Sequence, residues 1–308
     1  MRSTTRASAN AQGIDINDLD WDDINDKGDP KNWPSWKKWY ITFSVAGICL
    51  CVSLGSSLYV SGVPEIEKRF GCSQELAISG LTFYLLGLAF GPVFAAPLSE
   101  MFGRRWIYVF SLPISMLFTM GIGLSQNIYS ILIQRFFCGL FASPALAVAG
   151  GSISDIWAPE HIGFAMALFC LAPFLGPVLG PVVGNFAAEH KGWRFTMWVS
   201  LMFSGAVLIP VVFLPETYKR KILYDRAKKR GIQVNIPNLD FKQVVVTCVK
   251  KPMAMLFTDA IVFFFSFYIA FVFAVLFGFF EAFPIIFLSV YKMKQGPSGL
   301  PFIGVGVG

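Results

Sequence analysis

Three groups of residues in this chain have types and spacings that could do chemistry. The first is Glu100, Arg104 and Arg105 in PLSEMFGRRWIY, residues 97–108. Here an acid is followed one helical turn later by two guanidinium groups, with Gly103 available for a tight reversal. Such a set can form ion pairs that lock or release neighbouring segments. The second is Arg135 in ILIQRFFCG, a single guanidinium in an apolar stretch, followed by Gly139 and Ser143 at four-residue intervals. That spacing puts a charge and small residues on one helical face. The third is the pair Asp259 and Glu281, 22 residues apart, or about 33 Å along a helix. Glu281 has apolar neighbours in FFEAFP and is expected to face a central cavity, attracting cationic substrate or protons. Asp259 reads equally as a marker of a membrane interface.

The elements that must hold these groups are set by composition. Of 308 residues 55% are hydrophobic, 32 are Phe and only 14% are charged, against about 25% charged in a soluble domain. Apolar runs able to cross ~30 Å of hydrocarbon as helices occur near 39–62, 76–98, 106–124, 128–150, 162–186 and 195–214. A seventh fills 253–291. At 39 residues it would extend roughly 58 Å, so the helix proper is expected at 259–280. Residues 253–258 would then lie at one interface, with Pro284 breaking the segment near the other. Glu100, Arg104 and Arg105 fall in the turn between spans two and three. Arg135 sits about 10 Å inside span four, where a charge costs several kcal/mol and is seldom kept without a partner or cavity.

Charge distribution orients the chain. With the amino terminus inside, the inner segments hold 18 Lys/Arg and the outer ones six, which predicts a cytoplasmic tail and a cytoplasmic 215–252 loop. The net charge of +6 sits between spans, which argues against nucleic acid as a partner. The tail, 1–38, is rich in Asp and Asn, lacks a signal-peptide pattern, and is expected to be exposed and disordered. Residues 39–214 read as a six-helix bundle, 215–252 as a basic central loop opened by PETYKRKILYDRAKKRG, and 253–308 as the start of a second bundle. No internal repeat is evident on inspection. The last apolar run, 300–308, has nine residues, too few to span.

Span five carries APFLGPVLGPVVG. Gly176, Gly180 and Gly184 recur every four residues, while Pro177 and Pro181 each remove an intrahelical hydrogen bond. The result should be a bent helix packed closely on a neighbour. Gly87, Gly91 and Ala95 make a similar small face in span two. The six cysteines show no paired metal spacing or disulfide framework. His161 and His190 have no metal spacing, no phosphate-binding G-x-x-x-x-G-K-[ST] loop is present, and no Ser/His/acid set is placed to act on a substrate. The expectation is a non-enzyme without metal or cofactor, and without ATP as its energy source.

GPVFAAPLSEMFGRRWIY resembles the loop motif of the major facilitator superfamily, G-x-L-A-D-R-x-G-R-K, with Pro97 at the leading Gly, Glu100 at the Asp, and Gly103, Arg104 and Arg105 matching. The span-four segment is similar to that family's R-x-x-x-G element, and the span-five segment to the motif of its antiporter branch. DDINDKGDPKNWPSWKKW, GWRFTMW, FLPETY and FFEAFPIIF extend the likeness over nearly the whole chain, toward the fungal twelve-span drug:proton antiporters that include multidrug and polyamine exporters. The resemblance implies an all-α polytopic fold with an N-terminal six-helix bundle and the start of a second. It implies proton-driven export of amphiphilic or cationic small molecules across the plasma membrane by alternating access. In that reading Arg135, Glu281 and Asp259 serve proton coupling or the substrate cavity. Glu100, Gly103, Arg104 and Arg105 form a cytoplasmic gate with Asp155 and Glu160 as partners, and Pro173, Gly176, Pro177, Gly180, Pro181 and Gly184 a hinge. Two alternatives stay open: a truncated, non-transporting membrane protein acting through a partner, and a facilitative or uptake carrier of the same fold.

Overall fold

The computed structural model describes residues 14–15, 20–232, 234–235 and 250–307. Its helices are α1 Ser35–Val60, α2 Val63–Phe70, α3 Gln74–Phe102, α4 Arg104–Leu124, α5 Ile128–Ile156, α6 Pro159–Lys191 and α7 Trp193–Val212. They continue with α8 Lys219–Lys229, α9 Lys251–Thr258, α10 Ala260–Pro284 and α11 Phe302–Val307. Seven of them, α1, α3, α4, α5, α6, α7 and α10, are long and apolar enough to cross a membrane. Ser73 and Asn127 start α3 and α5 by accepting Leu76 N–H at 3.3 Å and Tyr129 N–H at 3.1 Å, which satisfies donors no helical turn can reach.

The helices outrun the apolar stretches that announce them. The loop expected at 151–161 shrinks to the residues between α5 and α6, so Asp155 is a helix residue. Hydropathy marks only the part of a helix that lies in hydrocarbon, whereas backbone hydrogen bonding continues into the polar interface. Span seven begins as expected beside Asp259 and ends at Pro284, where the backbone loosens into a π-turn over Ile285–Val290. No part of its central stretch is buried. It meets the bundle through a ring stack of Phe174 with Phe273, centroids 6.2 Å apart.

An internal repeat emerges once the turns are in place. Residues 91–93 and 180–182 both read GPV, and Glu100/Glu189, Gly103/Gly192, Arg105/Arg194 and Trp106/Phe195 follow, every pair 89 positions apart. Gly103 and Gly192 share one backbone shape, φ 92° with ψ 163° and φ 81° with ψ 171°, a region that side chains with a Cβ rarely enter. The two halves of the bundle therefore reverse direction identically, one at each end of the molecule. The repeat escapes inspection because the spans between these turns have diverged.

Packing follows the same exchange. A Cβ on Gly87 would overlap the Phe136 carbonyl, and one on Gly91 the Ser143 hydroxyl, so α3 lies directly on α5. Equivalent overlaps at Gly176, Gly180 and Gly184 involve Ser53, Ser57 and Ser61, so α6 lies directly on α1. Each repeat lays its second span on the first span of the other. The core between them has two clusters, one around Ile48, Val52, Tyr108 and Ala149, the other around Tyr59, Ile66, Tyr84 and Trp193.

The tail departs from the disorder expected of it. Residues 20–34 form hydrogen-bonded turns and a short 3-10 helix, Pro30–Asn32, begun by the Asp29 carboxylate. Strand β1, Ile14–Asp15, pairs in parallel with β2, Val234–Asn235. Local carboxylate-to-backbone bonds and a basic helix nearby supply order that composition alone does not reveal. The rest of the tail, most of 233–249 including Cys248, and Gly308 lie outside the described residues.

Candidate functional site

Arg135 is the largest polar side chain in the interior, 2% exposed. Its Nη1 donates to the Gly55 carbonyl at 2.8 Å, and its guanidinium carbon stands 4.0 Å from the Tyr59 ring centre and 5.0 Å from that of Tyr84. Both separations fall within cation–π range. The tyrosine hydroxyls are used elsewhere, donating to the Ala77 and Val52 carbonyls, each at 2.8 Å. They pin the rings and so position the charge. Nε and Nη2 have no protein partner, and Arg135 forms no salt bridge among the described residues. A cavity of about 20 Å³ borders it, lined in part by Ser115, Thr119, Cys138, Ser200 and Ser204. That is room for a water molecule among polar partners. The small residues that follow on this face are seats for α3: a Cβ on Gly139 would overlap the Tyr84 carbonyl.

At the Gly103 end, Arg104 Nε lies 2.6 Å from Asp155 Oδ2, and its Nη1 donates to the Val148 carbonyl at 3.4 Å. Arg105 Nη2 donates to the Val212 carbonyl at 3.2 Å, capping the end of α7. The acid at this turn is not the expected one. Glu100 is exposed, as is Glu160, and neither forms a salt bridge among the described residues. Glu216 takes the place instead. Its carboxylate accepts Arg104 N–H at 2.9 Å and Arg105 N–H at 3.2 Å, and also the Thr217 and Tyr218 amides, both at 3.0 Å. A carboxylate there also complements the positive end of α4.

The Gly192 end repeats this device. Glu65 accepts Trp193 N–H at 2.5 Å, and Arg194 donates to the Gly123 and Ser125 carbonyls at 3.0 and 2.8 Å, capping α4. Residues beyond span seven also dock here. Gln295 Nε2 donates to the Ser61 carbonyl at 2.8 Å, Gly296 N–H to Glu189 at 2.6 Å, and Asn185 to Ser298 at 3.4 Å.

The glycine–proline helix holds its place through serine. Pro177 has no N–H for the Pro173 carbonyl four residues back, and that carbonyl accepts Ser53 Oγ–H at 2.7 Å. Ser57 Oγ similarly donates to the Gly176 carbonyl at 3.0 Å. Pro181 faces the other way: a Cβ on Gly299 would crowd its carbonyl, so α6 touches the second half of the chain here. Asp259 separates α9 from α10 and accepts Ile261 N–H at 3.0 Å, a helix-capping contact. Glu281 belongs to α10, but its side chain is outside the described residues. Sequence reasoning missed Tyr59, Tyr84, Glu216, Glu65 and the serines. The serines were visible as S-x-x-x-S-x-x-x-S at 53, 57 and 61, in register with the glycines they meet.

Bundled apolar helices, paired repeats and a buried central arginine define an integral, multi-pass, all-α membrane protein. Residues 45–308 match the family model described as Major Facilitator Superfamily, and the chain belongs to that superfamily. It is 50% identical to Polyamine transporter 4 of Saccharomyces cerevisiae over 317 aligned residues, covering 100% of this chain and 48% of that protein. Against the Major facilitator superfamily multidrug transporter mdrA of Aspergillus fumigatus the identity is 40%, covering 92% and 49%. The chain thus spans about half the length of these curated relatives. Among solved structures it shares its fold with a D-xylose-proton symporter, with a TM-score of 0.57 at 16% identity, covering 87% of this chain and 66% of that one. A bacterial homologue of the lysosomal transporter Spinster, captured inward-facing, gives a TM-score of 0.57 at 15% identity, covering 87% and 59%.

Proposed function

We propose that this chain supplies the amino-terminal half, and the start of the second half, of a secondary transporter that exports amphiphilic or cationic small molecules in exchange for protons. The amino terminus and the Gly103 end face the cytoplasm, as the lysine and arginine distribution favours, and the membrane is the plasma membrane. Polyamines are the first substrate class to test, because the 50%-identical relative carries that name. The observation that carries the reading is Arg135. A guanidinium held by two tyrosines and one carbonyl, with two nitrogens that have no protein partner and a small polar cavity beside it, is costly to keep. It favours anions or deprotonated acids nearby and disfavours cations, which suits a group that couples proton and substrate binding. Arg104 with Asp155, and the Glu216 cap, serve as the inner gate. The serine-backed glycine face of α6 sets where this half meets the other.

Proteoliposomes holding a complete two-half transporter that contains this chain, loaded with labelled spermidine or a cationic dye under an imposed pH gradient, provide the test. Wild-type protein is expected to move label against the gradient. Arg135→Ala is expected to lose proton-driven movement while still inserting in the membrane. Undiminished pH-driven flux in Arg135→Ala would overturn the assigned role, and absence of flux in the wild type over a panel of polyamines, azoles and weak acids would overturn the transporter reading.

A further inference from the structure

Outside the membrane part, one set of contacts has no place in the transport reading. Helix α8 begins three residues after Glu216 and, with Arg230, carries Lys219, Arg220, Lys221, Arg226, Lys228 and Lys229. The tail lies against it. Asp20 accepts Lys219 Nζ at 2.8 Å. Asp22 bridges Arg226 at 3.4 Å and holds Arg230 through both guanidinium nitrogens, Nη1 at 3.0 Å and Nη2 closer. Asp26 takes both terminal nitrogens of Arg226, Nη2 at 3.1 Å and Nη1 closer. The Trp21 ring stands 5.4 Å from the Arg226 guanidinium carbon. Gly28 leaves the space that guanidinium fills, where a Cβ would overlap it.

The clasp is built from the tail's own fold. Asp26 also accepts Gly28 N–H at 2.7 Å, and Asn32 Nδ2 ties the loop by donating to the Ile24 carbonyl at 2.7 Å and the Asp26 carbonyl at 3.1 Å. The Arg226 guanidinium holds the Asp26 carboxyl well below the usual carboxylate range. Individually, exposed ion pairs contribute little. This set is a bidentate network in which one strap occupies Lys219, Arg226 and Arg230, while Lys228 and Lys229 remain exposed. Clusters of four to eight basic residues immediately beside a membrane span bind anionic headgroups, each charge adding to the attraction of a negative surface.

We propose that the basic face of α8 is a binding surface for anionic phospholipid headgroups of the inner leaflet, and that the acidic strap 20–28 is its built-in competitor. The assignment of that leaflet rests on the orientation given above. In neutral bilayers the strap stays on Arg226 and Arg230; in anionic ones headgroup phosphates and carboxylates take these arginines and release it. The release would be felt at the inner gate, because α8 continues from the segment that caps α4 through Glu216.

The test uses the whole chain in lipid nanodiscs, where both faces are open. Discs contain phosphatidylcholine alone or with about one-third phosphatidylserine, enough to set a negative surface potential. An endoproteinase cutting at aspartate is added, and cleavage between residues 20 and 26 is followed by mass spectrometry. The wild type is expected to be cut several-fold faster in the anionic discs, and Arg226→Gln/Arg230→Gln to be cut fast in both. A wild-type rate that ignores phosphatidylserine would overturn the proposal. So would a lipid effect of equal size in the double variant, or a double variant cut slowly in both discs. None of these readouts depends on transport, so a protein that moves no substrate leaves the test standing.

Discussion

At the scale of single residues, glycines are discriminated by what a methyl group would meet. Gly180 sits against the Ser57 hydroxyl, whereas Gly163, on the same helix, has open space around it. Gly180→Ala should therefore destabilise the bundle by about 1–3 kcal/mol, the usual cost of overpacking. Ser57→Gly in the same chain should recover part of the loss. Gly163→Ala should be neutral or gain up to about 1 kcal/mol from helix propensity. Thermal unfolding in detergent measures all three, and a Gly163→Ala as damaging as Gly180→Ala would contradict the packing described. The spacing of the glycines was legible in the sequence, and so was the arginine in a span. What faces them was not, because serine in a membrane helix is too ordinary to announce a role, and the tyrosines that hold Arg135 come from helices far away in the chain.

At the scale of elements, several helix ends are finished by residues distant in the chain. Glu216 serves four amides at once, two of them at the start of α4. Glu216→Ala is expected to cost about 1–3 kcal/mol for amides left unsatisfied. It should appear as faster hydrogen exchange confined to the first turn of α4 and to residues 217 and 218; an unchanged exchange pattern would mean water replaces the carboxylate without loss. Sequence reading favoured Glu100 for this place since it lies one turn before the arginines. Proximity in sequence misled because α3 ends at Gly103, whose left-handed backbone swings the chain around and leaves Glu100 on the outward side. Span number and order were readable from hydropathy; the Glu216 and Glu65 caps were not, since each finishes a helix start more than a hundred residues away in the chain.

At the scale of the whole molecule, the extramembrane strap and the bundle answer to different forces. Because Asp26 titrates below the ordinary carboxylate range beside Arg226, its contribution to the clasp is complete above about pH 4. It is lost as pH falls through the depressed value. Spin labels at Ile24→Cys and Lys228→Cys, with Cys72, Cys170 and Cys248 changed to Ser, should report one short distance at neutral pH. The distribution should broaden below about pH 4 or in molar salt, which screens exposed charges beyond about 3 Å; a distance indifferent to both would show that the strap is held by something other than charge. The bundle obeys geometry instead. Since α3 rests on α5 and α6 on α1, neither repeat can complete itself. The ribosome must make more than a hundred residues after α1 before the surface that covers it exists. At ~5–20 residues per second that interval is on the order of ten seconds. Helix α1 waits through it as nascent chain with its serine face open, and α3 waits with its glycine face open until α5 is made, so assembly in the cell is timed by the arrival of α6.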